Sequence, residues 1–118
     1  MPAKPSFNRS PCPVAVSLDV LGDKWSLIVI RDLFRGLSRY NEFLNAPEGV
    51  TTNILADRLK RLEDHGLITK SAYQTNPVRY AYALTDKGRA LGPVLREMVI
   101  WGNAHYPGTH RPAFNAEG

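Results

Sequence analysis

Between Thr51 and Leu84 the apolar residues change their period at a single glycine, Gly66. Before it, Leu55, Leu59 and Leu62 stand at i, i+4 and i+7, one stripe along a helix. After it, Leu67 to Tyr73 is rich in strand formers, Gln74-Thr75-Asn76-Pro77 reads as a turn, and Arg79 to Leu84 alternates like a second strand. Thr51 is placed to cap the helix, and Gly66 to end it at the C′ position. A helix that must bury one leucine stripe, followed at once by a hairpin with a polar tip, leaves few folds open.

The flanking residues narrow the choice. Pro13 suits the first turn of a helix, and Val14, Val16, Leu18 and Leu21 extend it to Gly22. Asp23 is placed to cap a second helix, which Trp25, Leu27, Ile28, Ile30, Arg31 and Phe34 carry to Gly36. That helix is apolar over much of its circumference and is expected at the centre of the core. Ser38 is expected to cap a short third helix containing Tyr40, Phe43 and Leu44, ended by Pro47 and Gly49. After the hairpin, Thr85 is expected to cap one long last helix through about Ala104, with Leu91, Leu95, Met98 and Trp101 as its stripe. The glutamate of a capping box is missing there, because Gly88 holds that position. Four helices, a hairpin and a helix make a mainly α winged helix-turn-helix with a β-hairpin wing.

The 118 residues read as one domain, and 43% hydrophobic with 22% charged residues argues against global disorder. Residues 1–11, with Pro2, Pro5 and Pro11, read as a flexible arm; 12–106 as the winged domain with its dimerisation helices; 107–118 as a disordered tail. No apolar run approaches the ~20 residues that span a bilayer, and the N-terminus lacks the apolar stretch of a signal peptide. A cytoplasmic location and no membrane partner are expected.

Fifteen basic residues against 11 acidic ones give a net charge of +4, a mild bias towards polyanions. With the leucines of the fourth helix inward, Asn53, Ala56, Asp57, Lys60 and Arg61 fall on its outer face, at about 100° per residue. Amide, cation and methyl groups are what reads base edges and phosphates in a major groove. Asn53 is the base-reading candidate, since an amide pairs with adenine N6 and N7. Thr51 and Thr52 lie at the helix N-terminus, which favours a phosphate, and Lys60 and Arg61 are phosphate candidates. Arg58 lies about 60° from the leucine stripe and is expected in a structural ion pair instead. Asn76 and Arg79 on the wing, and Arg39 at the start of the third helix, could add backbone or minor-groove contacts. The ordinary reading of each is a solvated surface. The short helix before and the hairpin after are what favour double-stranded DNA.

A single such domain offers too few base-reading side chains for tight specificity, which two half-sites about one helical turn apart would supply. The terminal helices carry apolar residues for a homodimer: Val14, Leu18 and Leu21 in the first, and Leu91, Val94, Leu95, Met98, Ile100 and Trp101 in the last. The alternative is that these residues pack within one chain. Space between core and terminal helices is compatible with a small-molecule effector, but no residue pattern names one.

Other classes fit poorly. His65, His105 and His110 come with no cysteine pair, so no metal site is expected. There is no phosphate-cradling glycine loop, no cofactor motif and no nucleophile with a base, so an enzyme is not expected. The stronger rival is a winged helix used for protein–protein contact without DNA binding. The basic residues Lys60, Arg61, Arg79 and Arg39 argue against it.

The order of short motifs also resembles a known family. Cys12-Pro13-Val14, Leu21-Gly22-Asp23-Lys24-Trp25-Ser26-Leu27, Arg39-Tyr40-Asn41-Glu42-Phe43, Leu59 to Ile68, Tyr82 to Gly88 and Trp101-Gly102 together look like the HxlR-type bacterial winged-helix regulators, from about Cys12 to Tyr106. The resemblance implies a dimeric transcription regulator on an inverted-repeat operator, with Thr52–Arg61 as recognition helix and the terminal helices as the dimer contact. Asp23 stands where such sequences often have glycine, which is expected to change a cap rather than a contact. Asn53 stands where lysine is frequent, which bears on the operator sequence.

Cys12, the one cysteine, falls where several members of that family respond to oxidants or electrophiles. A thiol at a helix start is made more acidic by the dipole. Its plainer role is a small apolar side chain in the dimer contact.

Overall fold

The computed structural model describes residues 9–110. Helices α1 (Pro13–Leu21), α2 (Ser26–Phe34), α3 (Tyr40–Leu44) and α4 (Thr52–Asp64) precede the strands β1 (Ile68–Thr75) and β2 (Val78–Leu84). Two more helices follow, α5 (Asp86–Arg89) and α6 (Gly92–His105). Of the arm and tail expected from sequence, residues 1–8 and 111–118 lie outside the described residues. Arg9 is fastened to α1, donating to the Ala15 carbonyl and pairing with Asp19.

The core forms where α2 crosses the inner face of α4. Val29, Ile30, Leu33 and Phe34 of α2 meet Leu55, Leu59 and Leu62 of α4, with Phe43, Val50, Leu67, Ile68 and Leu95 closing the cluster. At ~1.5–3 kcal/mol for each large side chain taken out of water, the three leucines do most to hold α4 in place. Asp32 is buried among these residues and is satisfied by Arg31 and Arg35. Arg31 also grips Glu48 with both terminal nitrogens, tying α2 to the turn before α4.

Helix ends explain the sharp turns. Behind α4, the Gly66 amide donates to the Glu63 carbonyl and the Leu67 amide to the Leu62 carbonyl. That is a Schellman stop, and Gly66 supplies the φ of 76° that it requires. The same pair of bonds ends α2, with Gly36 in the same role. Thr51 caps α4 by accepting from the Ile54 amide.

Two expectations are corrected. Ser38 does not cap α3. Arg39 holds the N-cap position, and the Glu42 carboxylate at N3 reaches back to the amides of Ser38 and Arg39 at 3.0 and 2.9 Å, the N3 half of a capping box. The long last helix is in fact two. Thr85 caps only α5, through the Gly88 amide, and the chain starts a new helix at Gly92-Pro93. Proline has no N–H to give and its ring crowds the preceding turn, so it suits a first turn and interrupts a continuous helix.

The hairpin is antiparallel, with Ile68 opposite Leu84 and Thr75 opposite Val78, and a bulge at Tyr73. Its base is pinched shut. The Thr85 hydroxyl donates to the Gly66 carbonyl at 2.6 Å, and Lys87 donates to the His65 carbonyl at 2.7 Å. Gly88 lies so close to this junction that a Cβ would stand 2.2 Å from the Leu67 carbonyl oxygen. Backbone cannot give way there. Gly88→Ala is therefore expected to destabilise the fold by ~1–3 kcal/mol, read as a lower urea midpoint. An unchanged midpoint would show that the junction is looser than this.

Candidate nucleic-acid interface

The burial of α4 separates its two faces cleanly. Leu55, Leu59 and Leu62 are 0%, 2% and 1% exposed, whereas Thr51, Thr52, Asn53, Ala56, Asp57 and Lys60 are all exposed. Arg61 is half-buried. The amides of a first turn have no partner inside their own helix, so the Thr51–Asn53 end is suited to a phosphate. The helix also has a fixed attachment at that end. The Tyr40 hydroxyl of α3 donates to the Thr52 carbonyl at 2.7 Å. The sequence places Tyr40 in the short third helix without revealing this bond.

Charge on α4 is balanced. Arg58, Lys60 and Arg61 face Asp57, Glu63 and Asp64, three against three. Lys60 lies 3.1 Å from Asp64, an exposed pair one turn apart that holds it weakly. The wing is different. Strands β1 and β2 carry Lys70 and Arg79 and no acid. Arg39 is brought to the wing as well. Its backbone bridges to Ala81, the Ser38 carbonyl accepts from the Tyr82 amide at 2.7 Å, and its guanidinium lies 4.0 Å from the centre of the Tyr73 ring. Arg39 and Arg79 thus line one cleft with Tyr40, Asn41, Glu42, Tyr73 and Tyr80, two cations against one carboxylate. Lys70 sits 4.7 Å from the ring of Tyr80. Asn76 is in the turn at the wing tip.

Sequence placed Lys60, Arg61, Arg39 and Arg79 as separate contacts. The fold groups the last two and leaves the first two on α4. Lys70, Tyr73 and Tyr80 were read only as strand residues. The approach of Tyr73 and Tyr80 to Arg39 depends on the bulge and on the α3 loop, which no local pattern reveals.

Arg58 is the structural ion pair that the helical angle suggested. Its Nε donates to Asp23 Oδ2 at 2.7 Å, and its Nη1 to Asp57. Asp23 also accepts from the amides of Trp25 and Ser26 and from the Ser26 hydroxyl. Asp23 therefore makes an internal ion pair as well as a cap.

At the other end of the chain, Cys12 is exposed at the N-terminus of α1. The amides of Ala15 and Val14 hold its thiol below the ordinary thiol value. On α1 and α6, Val14, Leu18, Met98 and Trp101 are exposed, whereas Leu21 is half-buried and Leu95 buried against the chain's own core. Between α2 and α6 an apolar hollow of about 210 Å³ is lined by Leu27, Ile28, Leu95, Met98 and Val99. No helix among the described residues is long and apolar enough to cross a membrane.

Residues 20–110 match the HxlR-like helix-turn-helix family. The chain belongs to that family. The HxlR-like match takes in α2 to α6, including both faces of α4 and the whole wing. A relative named as an HTH-type transcriptional regulator, from Synechocystis sp., is 42% identical over 102 residues, covering 86% of this chain and 76% of its own. Among solved structures, the transcription factor PA1607 superposes with a TM-score of 0.79 at 40% identity, over 90% of this chain and 75% of that one. The oxidised form of the redox regulator HypR gives 0.72 at 33% identity, over 86% of this chain and all of that one (100%). This HxlR-like protein is accordingly a transcription regulator with a DNA-binding helix-turn-helix.

The Asp23 carboxyl makes the site sensitive to acid. Burial raises its pKa, but hydrogen bonds from Ser26, Arg58 and the Trp25 and Ser26 amides outweigh this and hold it at about 2, below its ordinary 3.8. A carboxyl lowered in the folded state stabilises fully above its unfolded value, and this is lost as pH falls through the folded one. The wild type should therefore lose more thermal stability than Asp23→Asn between about pH 4 and pH 2. Parallel melting curves for the two proteins would show Asp23 to be uncoupled.

Proposed function

We propose that this regulator acts as a homodimer on an inverted-repeat operator, with α4 in the major groove and the wing on the adjacent backbone. The separation of α4 into a buried leucine stripe and an exposed polar face carries this reading. Asn53 reads a base edge. Thr51 and Thr52 hold a phosphate at the helix start. Lys60 and Arg61 flank it, and Arg39, Arg79 and Asn76 take the neighbouring strand. Since α4 is neutral, the wing and its cleft supply much of the attraction to DNA.

The dimer reading is supported by apolar side chains left in water. Val14 and Leu18 on α1, and Val94, Met98, Ile100 and Trp101 on α6, are between 44% and 67% exposed. Large apolar side chains left exposed on two helices of a small domain suit a contact surface.

Cys12 is the proposed sensor. Its exposure and acidified thiol favour the reactive thiolate, and one of the solved relatives is named a redox regulator. Two Cys12 thiols, one from each subunit, would join as a disulfide, giving two electrons and two protons to the oxidant. A quinone would instead add directly to the thiolate.

Fluorescence anisotropy on the DNA upstream of the protein's own gene tests the function, with a salt series. Affinity should fall steeply as salt rises. Lys60→Ala should weaken binding to all duplexes alike and flatten the log–log salt slope by about 1, whereas Asn53→Ala should relax base choice at one position, by ~1–3 kcal/mol. A salt-independent response, or no binding, would favour the protein-interaction rival. The sensor reading has its own check. Oxidant and quinone should release wild-type protein from DNA and leave Cys12→Ser bound; equal release of both ends that reading.

A further inference from the structure

A dimer can read two half-sites only if its dimer helices and its groove helices keep one relative orientation. Apolar burial holds α4 to the core, but it is non-directional and tolerates roll and tilt. Directional contacts must fix the rest. One is the Tyr40 bond at the first residue of α4. The other is Arg58, the seventh of the thirteen residues of α4 and so its midpoint.

The partner of Arg58 lies at the root of α1. Asp23 stands two positions beyond Leu21, the last residue of that helix. The corner between them has little room, because a Cβ on Gly22 would come within 2.4 Å of the Leu18 carbonyl oxygen. Both side chains of the pair are about one-fifth exposed, 21% for Arg58 and 19% for Asp23, so water competes only partly for the bond. The same carboxylate accepts from the first amides of α2. One group therefore joins the end of α1, the start of α2 and the middle of α4. Arg58 in turn holds Asp57, which is exposed on the groove side.

We propose that the Asp23–Arg58 ion pair is a positioning link that sets the roll of α4 against α1, and thereby the one half-site spacing that the dimer accepts. The inference rests on the dimeric DNA-binding reading above. Arg58 need not touch DNA to do this. It acts by holding the helix that does.

The test is selection from a randomised duplex pool with wild type and Asp23→Ser, followed by affinity on the enriched duplex with its spacer unchanged or altered by one base pair. Serine keeps a cap oxygen for α2 but is too short for Arg58. One added base pair turns one half-site against the other by about 34°. The wild type should then lose affinity about tenfold or more, and Asp23→Ser less than about threefold, with the same half-site sequence and salt slope. Arg58→Lys, which keeps a cation for Asp23, should retain much of the spacing preference. Thermal melting identifies a variant that has not folded; Asp23→Asn then takes the place of Asp23→Ser. If the wild type enriches no repeated half-site, the dimeric DNA-binding reading fails. If it enriches one and the folded variant keeps the full spacing penalty, or loses all binding, the positioning link is wrong and that reading stands.

Discussion

Leu55, Leu59 and Leu62 leave water almost completely, and what α4 can offer on its other side follows from that. A helix anchored by three leucines at i, i+4 and i+7 turns its opposite face to solvent, so Asn53, Ala56, Asp57 and Lys60 face outward. The bonds of Tyr40 and Arg58 then narrow the roll that apolar burial alone leaves open. The surrounding structure protects this arrangement. Arg31 binds Glu48 ahead of α4, Tyr40 holds its first carbonyl, and Gly66 turns the chain away behind it.

Electrostatics divides the labour between helix and wing. A neutral α4 has little pull on a phosphate chain, and in the proposed complex it would bring an amide and hydroxyls to the groove without strong competition from non-specific attraction. The wing and the α3 loop supply cations, and Arg39 is oriented by the ring beneath it. Separating base reading from backbone attraction in this way suits a protein that must leave most DNA sequences quickly.

Much of this was legible in the sequence where the signal was local. The leucine stripe, the Thr51 cap and the Gly66 stop each lie within a few residues of the structure they specify. Arg58 could be assigned to an ion pair from its helical angle alone. Its partner could not, because Asp23 is 35 residues away and its own local role as a cap already accounted for it. The failures have physical causes too. Glu42 stands three residues after Arg39, the spacing of a capping box, but the nearer serine drew the assignment. Pro93 announced a break that the regular stripe Leu91, Leu95, Met98 concealed. The Arg39–Tyr73 stack needs a bulge and a loop to meet, and neither has a sequence signature here.

The bonds at the base of the hairpin have a consequence for how such a protein can change. Because Thr85 and Lys87 close the loop back onto Gly66 and His65, the segment from Ile68 to Leu84 enters and leaves the domain at nearly one point. Only the tip around Asn76 and Pro77 stands beyond the Arg39–Ala81 bridge and the Tyr73 stack, so lengthening, shortening or recharging that tip does not propagate into the helices. The tip is in that sense an interchangeable module, whose reach and charge can be varied over generations while α4 stays as packed.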